Sequence, residues 1–357
     1  PTLFESLWFY LSSRSEMNSA QFTFAALAIA ALLIGVAWRS WRIHQARSTD
    51  PQTPSKWLRY ADRAVSAALV VLALCSATQY FYGQRNHPDP DKEYTWNLHR
   101  WDMYHQIIGA KYFSELGYFR TYECTWEIDE INKQHFRGVP KMRNIRTLKI
   151  LETEVVVGER DCVDLFDDPA RLEQFARDID SIYALNGSKS RWIKLFRDKG
   201  FNGTPFHAFA LSKLASMVDL VHEELLWLAL IDVFWMTLAF GMVWWAWDAK
   251  TAAIAVLFFC ANYPGRFVHM GGSILRFDYV AMSVMALALM KKDRFALAGV
   301  CVAWATCERV FPAVVAVGLG FKAGVELLAT RKLRREYLQF GIAFVAALLV
   351  LFGLSLT

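Results

Sequence analysis

Long apolar blocks separated by short basic loops constrain this chain more than any other feature of its sequence. Runs from Phe22 to Trp38, Ala64 to Tyr82, Leu225 to Trp247, Tyr279 to Met290, Phe295 to Cys307 and Phe340 to Leu354 recur along 357 residues that are 55% hydrophobic. One soluble core does not absorb that much apolar chain in blocks. A bilayer does, because a helix satisfies its own backbone groups there. With a shorter run at Thr251 to Ala261 and another ending at Thr330, the expected fold class is an all-α polytopic membrane protein with about eight transmembrane helices.

The charges orient it. Arg39, Arg42, Arg47, Lys56, Arg59 and Arg63 follow the first run, Lys291, Lys292 and Arg294 follow the fifth, and Arg331, Lys332, Arg334 and Arg335 follow the seventh. Short basic loops stay cytoplasmic, so residues 83–222 are expected outside. The net charge of +5 is thus an orientation signal, and no nucleic-acid partner is expected. The organisation predicted is an interfacial helix and two spans in residues 1–82, an extracytoplasmic loop domain in 83–222 bearing surface amphipathic helices, and a helix bundle in 223–357. The expected location is a bacterial inner (plasma) membrane, with the long loop in the periplasm or outside.

Within that loop, Trp101, Tyr104, Ile108 and Tyr112 step by three or four. This spacing predicts an amphipathic helix from Arg100 to Leu116, stopped by Gly117 and lying on the membrane surface. Leu148 to Val157 reads as a strand because Val155, Val156 and Val157 are β-branched. Asp168-Pro169 opens a helix whose charges, Arg171, Glu173, Arg177, Asp178 and Asp180, read as a solvated face. Phe206 to Leu220 is expected to run along the surface into the third span. Cys124 and Cys162 are the only cysteines of the loop. They are able to pair in an oxidising compartment, where closing the loop would contribute about 4 kcal/mol, but sequence does not supply the geometry.

Chemistry-bearing residues fall in three places. Asp102 sits between Trp101 and Tyr104, with His99, Arg100 and His105 beside it. The stretch from Arg266 through His269, Gly271, Gly272, Arg276 and Asp278 precedes the fifth span, its glycines marking a close backbone approach. Glu308 and Arg309 precede Pro312. The threading puts all three on the outer face. Asp232 lies inside the third span, where an ionisable group is costly and points either to function or to a polar partner on a neighbouring helix. Guanidinium groups match phosphate oxygens, so Arg276 and Arg309, assisted by Arg266 and His269, are candidates for binding a phosphate. His99, Asp102 and His105 share a broad helical face, but catalytic zinc prefers a tighter pairing, so no metal site is assigned.

Asp102, Tyr104, Ala110 to Phe113 and Gly117 resemble the first external loop of the integral-membrane glycosyltransferases of the GT-C superfamily. Gly272 to Met290, the Lys-Lys-Asp-Arg turn, Ala298-Gly299 and Arg309 before Pro312 look like the later spans of polyprenol-phosphate-mannose-dependent mannosyltransferases. The matching stretches cover about a third of the chain by loose motifs. The resemblance implies an inverting transferase that takes a sugar from a polyprenyl-phosphate donor. Asp102 would be general base, and Arg276, Arg309, Arg266, His269, Tyr104 and His105 would bind substrate or lipid phosphate. Asp232, Asp278 and Glu308 would be supporting acids. Its partners would be membrane lipids and the lipid-linked sugar, with no cofactor beyond, at most, a divalent cation. Two departures stand out: Glu308-Arg309 replaces the usual lysine, and the sequence stops at Thr357, with fewer spans than relatives commonly have, so that the chain is either truncated or a reduced member of the superfamily. A non-catalytic subunit of a membrane complex is therefore the alternative.

Overall fold

The computed structural model describes Gly35, residues 56–81 and residues 98–356 apart from 159, 187, 263 and 264. The interfacial helix expected at residues 1–12 and the first span, Gly35 aside, lie outside the described residues. In chain order come α1 (Lys56–Phe81), α2 (Thr121–Asn132), β1 (Lys141–Arg143), β2 (Ile150–Glu152), α3 (Thr153–Val157), α4 (Pro169–Asn186) and α5 (Lys189–Leu195). They are followed by α6 (Pro205–Ala215), α7 (His222–Ala246), α8 (Ala249–Cys260), α9 (Asp278–Lys291), α10 (Phe295–Glu308), α11 (Ala313–Thr330) and α12 (Arg335–Leu354). The chain divides into two units, Pro1–Asn97 with Thr237–Gly272 and Leu98–Met236 with Ser273–Thr357.

In the first unit α1 packs on α8 through Leu69 and Ala73 against Ala253 and Leu257. Asp248 caps α8 by accepting the Thr251 N–H at 2.7 Å. A Cβ on Gly271 would lie 2.1 Å from the Tyr80 hydroxyl. The close backbone approach expected at this glycine is therefore made to a tyrosine of its own unit.

The protein is a helical membrane protein. Glu224–Ala246 within α7, α11 and α12 are each long and apolar enough to cross a bilayer. Trp227, Phe234, Phe321, Ile342 and Leu349 are exposed along them, as side chains that face lipid are. The helices α8, α9 and α10 have 12, 14 and 14 residues. At 1.5 Å per residue they reach about 20 Å, against about 30 Å of hydrocarbon. In the second unit α10 runs against α12 with backbone approach, since a Cβ on Gly299 would meet the Phe340 carbonyl at 2.5 Å.

The polar part of the second unit departs from expectation in several places. The segment from Arg100 is neither one helix nor a surface one. It comprises Arg100–Met103, a π-helical turn at Tyr104–Ile108, Gly109–Lys111 and Phe113–Leu116. Every residue from Met103 to Tyr112 is buried, because the aromatic stripe meets protein: Tyr104 packs edge-on against Trp192 at 5.0 Å and Tyr112 against Phe175 at 4.7 Å. Gly117 does end it, at φ +55°. The strand expected over Leu148 to Val157 is only β2, paired antiparallel with β1. The valines turn helical in α3, where Val156 and Val157 are buried while Val155 is exposed, so packing overrides β propensity.

Nor is the charged face of α4 wholly solvated. Asp178 is buried, 2.8 Å from Lys111 Nζ, and accepts the Tyr112 hydroxyl at 2.6 Å. Arg171 pairs with Glu115 at 2.7 Å. The helix expected over Phe206 to Leu220 ends at Ala215, before α7 begins at His222.

Cys124 and Cys162 are disulfide-bonded, tying α2 to the turn before α4 across 38 residues. Replacing both by serine should lower the unfolding free energy of this region by about 4 kcal/mol, the entropy released to the unfolded chain. Thermal unfolding of the double variant against the parent checks this; equal midpoints would deny the cross-link a stabilising role.

Candidate functional site

The Asp102 turn is anchored on all sides but one. Trp101 Nε1 donates to Asp198 at 2.6 Å, and Arg100 Nη1 to the Leu185 carbonyl at 2.6 Å. His99 Nδ1 accepts the Asp102 N–H at 3.2 Å, capping the turn. Tyr104 donates to Thr125 Oγ1 at 2.9 Å, and His105 Nε2 lies 2.7 Å from the Tyr122 hydroxyl. Tyr104 and His105, assigned to substrate by sequence, are thus buried against α2 and serve to hold the turn. Burial raises the Tyr104 phenol well above its usual range and pushes His105 down to about 4. His105 is a neutral imidazole at physiological pH.

The remaining side carries the acid. Asp102 Oδ2 accepts the Ser273 hydroxyl at 2.6 Å, 171 positions along the chain. The same oxygen lies 3.1 Å from Arg276 Nε, without hydrogen-bond alignment, so the contact is an ion pair of two partly exposed groups. Burial raises the Asp102 pKa, but Arg276, the Ser273 hydroxyl, His99 and His105 together outweigh it, leaving the acid below its ordinary 3.8. Asp102 is a carboxylate at neutral pH. The stability its partners contribute is present above the ordinary pKa and is lost as pH falls through the depressed one.

Asp232 sets the position of the guanidinium. Its Oδ2, fully inside α7, accepts the Arg276 N–H at 2.7 Å. This intramembrane acid fixes the backbone from which the Arg276 side chain springs.

A second network runs beside the first. His207, on α6, lies 2.8 Å from Gln106 Oε1 through Nε2, and its Nδ1 meets Glu308 Oε2. Neither His207 nor Glu308 has exposed side-chain surface. Burial pushes His207 down to about 3, with Arg309 adding to it. With Nε2–H donated to Gln106, the neutral ring's Nδ1 must accept, so the Glu308 carboxyl donates and carries the proton. Arg309 follows Glu308 directly and donates to the Glu308 carbonyl at 3.1 Å. Asp278 accepts the Trp304 indole N–H at 2.9 Å.

The structure thus brings Asp102, Arg276 and Asp232 together and links Glu308 and Arg309 to the same turn through His207 and Gln106. Arg266 and His269 belong to the other unit. Arg266 is buried there, and the His269 side chain lies outside the described residues. Sequence reasoning missed Ser273, Gln106 and His207. Ser273 follows the glycine pair that drew notice, but a single hydroxyl carries no spacing signal, and His207 reads as one polar position of an amphipathic helix. Among the described residues no group of three His, Cys, Asp or Glu side chains is arranged to hold a metal ion.

No family model, curated protein or solved structure matches this chain.

Arg276→Gln should raise the Asp102 pKa, read by carboxyl ¹³C NMR titration; an unmoved value would show that the guanidinium does not set the ionisation of the acid. His207→Ala should cost about 2 kcal/mol by leaving the protonated Glu308 carboxyl buried without its hydrogen-bond acceptor. Denaturation midpoints test it, with His207→Gln recovering part of the loss.

Proposed function

We propose that the chain is a membrane glycosyltransferase of GT-C type, transferring a sugar from a polyprenyl-phosphate donor to an acceptor on the extracytoplasmic face. In this reading the chain has about eight spans, some of them short or tilted, with residues 83–222 outside. The disulfide supports an outside location, since such cross-links persist in oxidising compartments. Asp102 takes the proton of the acceptor hydroxyl as that oxygen attacks the anomeric carbon. The bond from that carbon to the phosphate oxygen breaks on the opposite face, inverting the centre, and the lipid phosphate leaves with the electron pair. Arg276, with Arg309 as the second cation of this reading, stabilises the charge on the departing phosphate.

One observation carries the reading: a partly exposed carboxylate kept ionised, with a guanidinium 3.1 Å away, the two brought from distant parts of the sequence. A base for a hydroxyl proton must be ionised, and a phosphate leaving group needs a fixed cation beside it. A second carboxyl group, Asp232, accepts the backbone N–H of the same arginine, and ionisable groups clustered beside a membrane point to function.

The test is transfer from a polyprenyl-phosphate sugar in detergent or liposomes. Asp102→Asn should reduce turnover by at least about a thousandfold while leaving the fold intact. Full turnover in that variant would remove Asp102 from the mechanism.

A further inference from the structure

The Asp102–Arg276 contact has features of a pair made to open. Each side chain retains surface, 14% for Asp102 and 20% for Arg276. The guanidinium approaches through Nε without hydrogen-bond alignment, unlike the paired, parallel geometry of a structural Arg–carboxylate bridge. Both ends are held independently of the pair. Asp102 keeps the Ser273 hydroxyl at 2.6 Å and its own N–H on His99. Arg276 keeps its backbone N–H on Asp232 at 2.7 Å. The guanidinium is therefore free to turn about a fixed backbone without unravelling either segment.

We infer that Arg276 is a substrate-displaced latch: the phosphate of an incoming phosphate ester takes Arg276 from Asp102, and the carboxylate so released becomes a stronger base. This rests on the transferase reading and adds regulation to the same site. Before phosphate arrives, the guanidinium holds the carboxylate ionised but weakly basic. Once phosphate takes the guanidinium, the acid keeps its hydroxyl and imidazole neighbours but loses its nearest cation, so its proton affinity rises when an acceptor needs a base. Base strength is then conditional on donor occupancy, which protects the site from idle protonation chemistry.

Competition of this kind has an unusual signature, since deleting the acid must improve anion binding. Inorganic phosphate and farnesyl phosphate binding to the full chain in detergent would be measured by calorimetry at neutral pH. Asp102→Asn should bind both about tenfold tighter than wild type, and Arg276→Gln should lose most of the binding. Unchanged or weaker binding by Asp102→Asn, with Arg276→Gln still defective, overturns the latch but leaves Arg276 as the phosphate ligand. Wild-type binding by Arg276→Gln overturns the phosphate site itself. Tighter binding of farnesyl phosphate than of inorganic phosphate supports a lipid source, and equal binding argues for free phosphate and against the donor proposed above. Should Asp102→Asn not fold, wild-type protein labelled with ¹³C-carboxyl aspartate provides the second measurement. Its carboxylate infrared band should shift on phosphate addition, and an unchanged band at saturation overturns displacement.

Discussion

A carboxylate and a guanidinium, neither fully in water nor fully out of it, set the terms for the rest of the second unit. Asp102 and Arg276 lie 3.1 Å apart, and each would be costly alone in so enclosed a place. Keeping them together requires two segments separated by a loop domain and a membrane helix to meet with little tolerance. The supporting contacts serve that need. Asp232 holds the arginine's backbone, Ser273 completes the acid's shell, and the indole, imidazole and phenol groups around residues 99–105 tie the acid's turn to the protein. An acid within a membrane helix, costly in isolation, is explained by the hydrogen bond it accepts from a loop.

The π-helical turn at Tyr104–Ile108 belongs to the same logic. One extra residue in a turn rotates the helix beyond it, and all five residues of this turn are buried, as are the α-helical residues after it. Gly109 then permits contact with Phe201, as a Cβ there would lie 2.7 Å from that side chain. Helix α6 closes over the same place and delivers His207 to Gln106. Two networks, one charged and one sharing a single buried proton, are thus mounted on one short stretch of chain.

Much of this was legible in the sequence, and the misses have physical causes. Apolar runs identify membrane helices because hydrophobicity acts locally; α7, α11 and α12 are readable directly from composition. The pairing of Cys124 with Cys162 was open until geometry joined them. Asp102 and Arg276 were singled out for their residue types and settings, but nothing in either stretch says that they touch. The surface location expected for the Arg100 to Leu116 stripe failed because an apolar stripe does not say whether lipid or protein covers it, and here aromatic rings from α4 and α5 do. The Val155 to Val157 run failed as a strand because β propensity is weak beside burial of two of the three valines. Asp178 looked like surface charge because its partner, Lys111, lies 67 positions earlier in sequence.

Cys124 sits on α2 between Tyr122 and Thr125, the two hydroxyl-bearing residues that anchor His105 and Tyr104. One turn of helix therefore joins the oxidised cross-link to the footing of the acid. A chain kept reduced would lack that covalent brace beneath its own carboxylate.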